Sequence, residues 1–297
     1  MLYGTRIYGA DPGLLIRKAR TAEELGFESL WRGDHLLLPA AIAERYPHAA
    51  GGRPPFSADA PVLDVLTVLA FLAQATSSIR LATGVLVLPL REPVAVARAV
   101  GTLDVLSRGR ITLGVGAGWL KEEFAFCGQD FPTRNDRLDE AIALLRALWA
   151  QAEIHHDGPA YPIAAARFEP KPAQPGGPPI VGGGESQRAL RRAALMCDGW
   201  YGHLADDATA AQRVAHLRGL RRSHGLTAPF EITVRVAPEA TRDDIARLAD
   251  VGVDRVVAEI GSFDEPMGLA DLEAMERFAD RHLGSRTPGH ERQAPVA

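Results

Sequence analysis

The segment from Arg80 to Leu120 limits what this chain can become more than any other. It reads RLATGVLVLPL, then REPVAVARAVGTLDVLSRG, then RITLGVGAGWL. An apolar run without polar alternation suits a strand buried on both faces, and two such strands running parallel need a crossover helix between them. The segment therefore predicts one βαβ unit. Both strands end unusually, in Thr83-Gly84-Val85 and in Gly114-Val115-Gly116-Ala117-Gly118. Glycines at such ends leave backbone open to the approach of a flat ligand.

The same alternation extends through the chain. Residues 2–9 read as a strand, and Asp11-Pro12 opens a helix with Leu15, Ala19, Ala22 and Leu25 on one face, Lys18, Glu23 and Glu24 pointing outward, and Gly26 as its stop. A second strand, FESLWRGDHL, ends in Asp34 and His35. The stretch 36–60 is rich in Pro, Gly and Ala and carries Arg45, Tyr46, His48 and Arg53; loops of this length usually serve a function, and a substrate-covering lid is expected. A helix over 61–76 leads into the βαβ unit. Beyond it, WLKEEFAFC reads as a short helix, and Thr133 with Asp136 three residues on has capping-box spacing. The segment 151–177 holds too many prolines for a regular element and reads as an insertion. Strand PPIVGGG follows, then helix 186–197, strand GWYGH, helix 206–223, strand EITVRVAP, helix 241–251, strand RVVAEIG and helix 268–283. Eight strand-helix units predict an α/β (β/α)8 TIM barrel with insertions after strand 2 and before strand 5, and with its site at the carboxyl ends of the strands. One domain over 1–284 is expected, with an aperiodic, flexible tail over 285–297.

Composition excludes several other classes. With 297 residues, 46% hydrophobic and 24% charged, the chain has ample core for such a domain. A net charge of −4 with dispersed basic residues gives no footprint for nucleic acid. No apolar run reaches membrane-spanning length and no signal peptide is apparent, so a cytoplasmic protein is expected. Cys127 and Cys197 lack metal or redox spacing and read as reduced thiols. His155-His156 lacks further ligands at metal spacing and reads as a solvated turn, so no metal is expected.

The strand ends then supply the candidate chemistry. Asp34-His35 follows an apolar strand, where a general acid or base would stand beside a bound ring; a backbone-capping aspartate and a space-filling histidine are the alternative. Gly182-Gly183-Gly184-Glu185-Ser186 leads into a helix whose open N–H groups suit a phosphate, although a tight βα turn uses the same residues. Glu185 would then act through its backbone N–H, and Ser186 through its hydroxyl. His203, after strand GWYGH, is a second candidate proton carrier. There is no nucleophile elbow.

Taken together, LATGVLVLPLREPVAVARAVGTLDVLSRGRITLGVGAGWLKEEF, TRNDRLDEAIALLRALW, RFEPKP, PPIVGGGES and CDGW make the chain resemble the bacterial luciferase-like superfamily, most closely its actinobacterial branch that uses coenzyme F420, a deazaflavin. The resemblance runs from Arg6 to about Ile260. It implies a barrel, usually a homodimer, that holds F420 or, alternatively, FMN at the strand ends. It also implies a non-proline cis peptide at Gly84-Val85, Thr83, Gly116 and Ala117 beside the ring, and a phosphate loop at Gly182, Gly183, Gly184, Glu185 and Ser186. Asp34 would touch the polar edge of the ring, His35 would exchange the proton, and Arg134 would reach towards the phosphate or tail. Some deazaflavin dehydrogenases carry a catalytic glutamate where this chain has Ala117, so a sugar-phosphate dehydrogenase role does not follow. The resemblance leaves three readings: an F420-dependent hydride-transfer enzyme acting on a small organic molecule, an FMN-dependent monooxygenase fed by a separate reductase, and a non-catalytic flavin-binding protein.

Overall fold

The computed structural model describes residues 1–42, 46, 52–54, 56–203, 207–261 and 269–284. Arg45, His48 and the 285–297 tail lie outside the described residues. The chain alternates β1 (Leu2–Arg6), α1 (Pro12–Leu25), β2 (Ser29–Arg32), α2 (Val65–Ala75), β3 (Arg80–Thr83), β4 (Leu86–Val87), α3 (Pro93–Leu106), β5 (Ile111–Gly116), α4 (Lys121–Phe126) and α5 (Arg134–Ala150). It continues through β6 (Ile154–His156), β7 (Ile163–Ala166), β8 (Ile180–Gly183), α6 (Gln187–Met196), β9 (Gly199–Gly202), α7 (Asp207–Ser223), β10 (Glu231–Val236), α8 (Arg242–Asp250), β11 (Arg255–Ala258) and α9 (Leu269–His282). Pairing in the large sheet is parallel throughout, in the order β3-β2-β1-β11-β10-β9-β8-β5-β4, and a β3–β5 contact closes the ring. β3 and β4 are two halves of one stave, broken at Gly84-Val85, where the peptide is cis as the resemblance implies. The result is a closed eight-stave (β/α)8 barrel, the TIM-barrel architecture expected from the sequence.

Period-2 alternation sorts the strand residues between two cores. On β11, Val256, Ala258 and Ile260 join the core between strands and helices, while Val257 sits in the barrel lumen with Trp31, Ala82, Val181 and Tyr201. Trp31 and Tyr201 stack at 4.8 Å and 16°. At the amino end of the lumen, Arg255 pairs with Glu28 and Glu231. At the carboxyl end, Arg6 and Arg235 pair with Glu259. An aromatic plug therefore separates two charged layers, and the upper layer faces the mouth.

Several local expectations need correction. Lys18 is buried at 1% exposure, because it shares a face with Leu15 and Ala22; its Nζ reaches the Ile260 carbonyl at 3.2 Å and Asp271 at 3.4 Å. Burial pushes its amine down to about 8, opposed by Asp271. Thr133 makes no side-chain cap, because its own backbone is already helical (φ −85°, ψ −2°) and its hydroxyl turns back to the Asp130 carbonyl, while Asp136 pairs with Arg188 on α6. Segment 151–177 contains the β6–β7 hairpin, in which Pro159 and Pro162 fall between the two strands.

Glu23 also turns inward at its tip, accepting N–H bonds from Ser77, Ser78 and Ile79 and so tying α1 to the entry of β3. Burial alone would raise its carboxyl, but these donors outweigh burial and hold it below the ordinary value. A depressed carboxyl adds stability above its unfolded value and loses it as the pH falls through the folded one. Glu23→Gln should therefore lower unfolding free energy by about 1–2 kcal/mol near neutral pH, as read by urea denaturation, and the deficit should shrink below about pH 4.

Candidate functional site

The broken third stave organises the mouth. Val85 projects over β5 and β8: a Cβ placed on Gly116 would meet Val85 Cγ2 at 2.7 Å, and one on Gly183 would meet Val85 Cγ1 at 2.8 Å. A Cβ on Gly114 would strike the Thr83 carbonyl at 2.0 Å, and Thr83 Oγ1 donates to the Gly114 carbonyl at 2.6 Å. These glycines therefore make room for the bulge itself. Gly182 has a different reason, the approach of Ala193 on α6, which a Cβ would meet at 2.9 Å. Residues 84, 116 and 183 thus converge, and Ala117 follows, half-buried, on the rim.

Asp34 locks this arrangement. Its side chain is fully buried and accepts two bonds from Arg91, at 2.7 and 2.8 Å, and one from the Val87 N–H at 2.9 Å. Burial raises its carboxyl above the ordinary value, with Arg91 and the Val87 N–H opposing. Both oxygens are therefore committed to the frame of the bulge rather than turned to open space.

His35, one residue on, meets Glu123 of α4, with Nδ1 to Oε2 at 3.0 Å. Glu123 is 1% exposed and also accepts the N–H groups of Leu36, at 2.6 Å, and Leu37, at 3.3 Å. A carboxylate only accepts, so Nδ1 carries the proton and donates it to Glu123, and proton exchange falls to Nε2. The described part of the long insertion lies over this pair: Phe56 is 5.2 Å from the His35 ring, and Tyr46 meets Trp119 at 5.2 Å. Arg53 is described but forms none of these contacts.

At the other side of the bulge, Gly184 takes φ +107° and Ser186 caps α6, its Oγ accepting the Ala189 N–H at 3.2 Å. The cap leaves the first-turn N–H groups of Gln187 and Arg188 as donors for an anion, and the Ser186 hydroxyl keeps its own proton to donate. The Glu185 carboxylate is turned onto the His203 N–H and Arg213, each at 3.0 Å, and so does not confront an anion. His203 is thereby placed beside the glycine loop 182–186, half-buried just beyond the end of β9. Arg134 stacks on Phe131 at 3.7 Å and donates to the Gly118 carbonyl; it lies close enough to Arg188 to feel its charge. A backbone notch, a helix start with open donors and two nearby arginines fit a flat, phosphate-tailed group.

Sequence reasoning missed Glu123, Arg91, Arg188 and the charged layer Arg6, Arg235 and Glu259. Alternating charges inside EITVRV and RVVAE were the readable signal for part of that layer, since a charge within a buried strand must face a polar lumen. Glu123 lay unmarked within WLKEEF.

The family described as luciferase-like monooxygenase matches residues 4–295. An uncharacterised protein of Mycobacterium tuberculosis is 32% identical over 268 residues, 88% of this chain and 92% of its own length. A protein of Amycolatopsis mediterranei named F420-dependent glucose-6-phosphate dehydrogenase is 33% identical over 177 residues, covering 58% of this chain and 48% of that protein. Among solved structures, an F420-dependent secondary alcohol dehydrogenase in complex with an F420-acetone adduct superposes with TM-score 0.76 at 17% identity, over 96% of this chain and 99% of its own. The monooxygenase RslO1 from Streptomyces bottropensis gives 0.74 at 20% identity, over 95% and 99%. At such identities the two structures establish the fold alone.

Removing one partner of a buried ion pair strands the other charge. Arg91→Met should therefore cost about 3–5 kcal/mol of stability in chemical denaturation, and adding Asp34→Asn to it should restore a measurable part of that loss.

Proposed function

The chain belongs to the luciferase-like monooxygenase family, and we propose that within it the protein is an F420-dependent oxidoreductase that moves a hydride between the deazaflavin and a small organic substrate. The observation that carries this reading is the His35–Glu123 pair, formed between the residues just beyond β2, the stave next to the Val85 bulge, and α4, beneath the aromatic insertion. The relative named as an F420-dependent dehydrogenase supports the choice of cofactor. Its sugar-phosphate substrate is not carried over, since Ala117 stands where some deazaflavin dehydrogenases have a catalytic glutamate. Here the carboxylate nearest His35 comes instead from α4.

When bound, the deazaflavin supplies a two-electron hydride couple that reacts poorly with oxygen. The chain does the rest. Gly184, Ser186 and the first turn of α6 bind the phosphate, with Arg134 and Arg188 adding positive charge. Val85, fixed through Asp34 and Arg91, supports one face of the ring. His35 holds or accepts the substrate proton at Nε2, while Glu123 fixes the tautomer and stabilises the charged imidazole. Tyr46, Phe56 and Trp119 exclude water above it.

Titration of the purified protein with F420 and with FMN, followed by cofactor fluorescence, tests the choice. F420 should bind at least about tenfold tighter than FMN, and Gly184→Ala, which strains a left-handed position, should weaken F420 by about tenfold or more. The reverse preference would establish the oxygen-dependent monooxygenase reading instead. With any accepted substrate, His35→Ala should lower kcat by about 10²–10⁴-fold while leaving F420 affinity nearly unchanged. Unchanged turnover would remove His35 from the mechanism.

A further inference from the structure

The rim of the barrel divides into two arcs. Staves β3/β4, β5 and β8 are consecutive in the ring and carry the glycines and the bulge. Staves β1, β11 and β10 are also consecutive, lie on the far side of the ring and carry charges. Arg6 Nη1 reaches Glu259 Oε1 at 2.7 Å, Arg235 Nη1 lies 2.9 Å from Glu259 Oε2, and the Tyr8 hydroxyl donates to Glu259 Oε1 at 3.1 Å. Within this trio two guanidinium groups meet one carboxylate, an excess of positive charge.

Burying that excess is costly unless something offsets it. Arg6 is 4% and Arg235 8% exposed, yet neither Nε has a hydrogen-bond partner among the described residues. Nor does the Tyr201 hydroxyl, on a residue 6% exposed; this hydroxyl lies at the boundary of the two arcs, 3.1 Å from where a Cβ on Gly84 would stand. Both arginines act electrostatically on Tyr201, and Tyr46 of the insertion acts on Arg6 and Tyr201 from above. The Glu259 side chain, at 23% exposure, is the least buried part of the cluster. Glu259 Oε2 also lacks a hydrogen bond among the described residues, but the orphaned Nε–H groups of Arg6 and Arg235 and the Tyr201 hydroxyl outnumber this one acceptor; with the excess positive charge and aromatic walls from Tyr8, Tyr46 and Tyr201 they describe a receptor for a planar anion.

We infer that the charged arc of Arg6, Arg235 and Tyr201 is the substrate-recognition subsite and that it selects a small organic carboxylate, held across the mouth from the Val85 bulge. The inference deepens the redox reading, on which its assignment to a substrate rests. A carboxylate neutralises the cluster with one charge and offers coplanar acceptors to the guanidinium groups. Glu259 sets the selectivity by restricting the cluster to a single negative charge.

Calorimetric titration with benzoate and its neutral isostere benzamide, performed with F420-loaded and cofactor-free protein, tests it. Benzoate should bind about tenfold or more tightly than benzamide; Arg235→Met should abolish that preference, and Glu259→Gln should strengthen it several-fold. A purely structural cluster would not gain anion affinity on loss of Glu259. If Arg235→Met fails to fold by circular dichroism, Arg235→Lys and Glu259→Gln carry the test, the former weakening the preference and the latter raising it. Equal affinities for the two probes, an unchanged preference in the variants, or inorganic phosphate displacing benzoate at lower concentration than acetate does would each overturn the inference. A benzoate preference in protein that binds no F420 would leave the subsite standing and sink the F420 reading. F420 binding without the preference would do the opposite.

Discussion

The mouth of this barrel depends on the buried contact between Asp34 and Arg91. A carboxylate with no solvent exposure is tolerable only when its lone pairs are filled, and here two guanidinium N–H groups and the Val87 N–H fill them. The contact joins the end of β2 to the strand fragment beyond the bulge and to the turn before α3. With those three pieces fixed, Val85 must project over β5 and β8, where only glycine leaves it room. His35, next in the chain, is fixed by the same anchor and oriented by Glu123. One ion pair thus sets both the Val85 surface that would support a ring and the side chain that would exchange a proton beside it.

The division of the rim follows from strand order. Neighbouring staves share a hydrogen-bond register, so features at their carboxyl ends become neighbours in space. Glycine-ended strands fall together on one arc and charge-ended strands on the other, with the Trp31–Tyr201 stack as the floor of both. The aromatic floor matters electrostatically. It keeps the mouth arginines apart from the Arg255–Glu28–Glu231 layer below, so each charged layer must be satisfied locally. The lower layer meets Arg255 with Glu28 and Glu231, with Arg80 4.0 Å from Glu28, whereas the upper meets two arginines with one carboxylate, so the excess of positive charge lies at the mouth.

Much of the fold was legible because its signals are local. Unbroken apolar runs, Asp11-Pro12 opening α1 and Gly26 stopping it were read from the residues and are found in place. The β6–β7 hairpin was not, since proline counting ignores that prolines between strands do not interrupt them. Lys18 was assigned to solvent by its chemical type, although its helical phase puts it on the face that packs against the chain near Ile260 and α9. Thr133 and Asp136 had capping-box spacing, but spacing does not fix the backbone of the capping residue, and Thr133 is already helical with its hydroxyl on the Asp130 carbonyl.

By itself the sequence determined the eight-fold strand-helix repeat, the family, the glycine-ended strands and the positions of Asp34, His35 and the glycine loop before α6, because each is written in contiguous residues with a period or a motif. Only the tertiary structure decided that the rim glycines accommodate Val85, that Asp34 belongs to Arg91, that Glu123 backs His35, and that Arg6, Arg235 and Glu259 meet. Asp34 and Arg91 lie 57 residues apart, His35 and Glu123 88, and Arg6 and Glu259 253. No spacing rule reaches across such distances; closure of the barrel brings the groups together, and the cost of leaving a buried charge unpaired selects which of them touch.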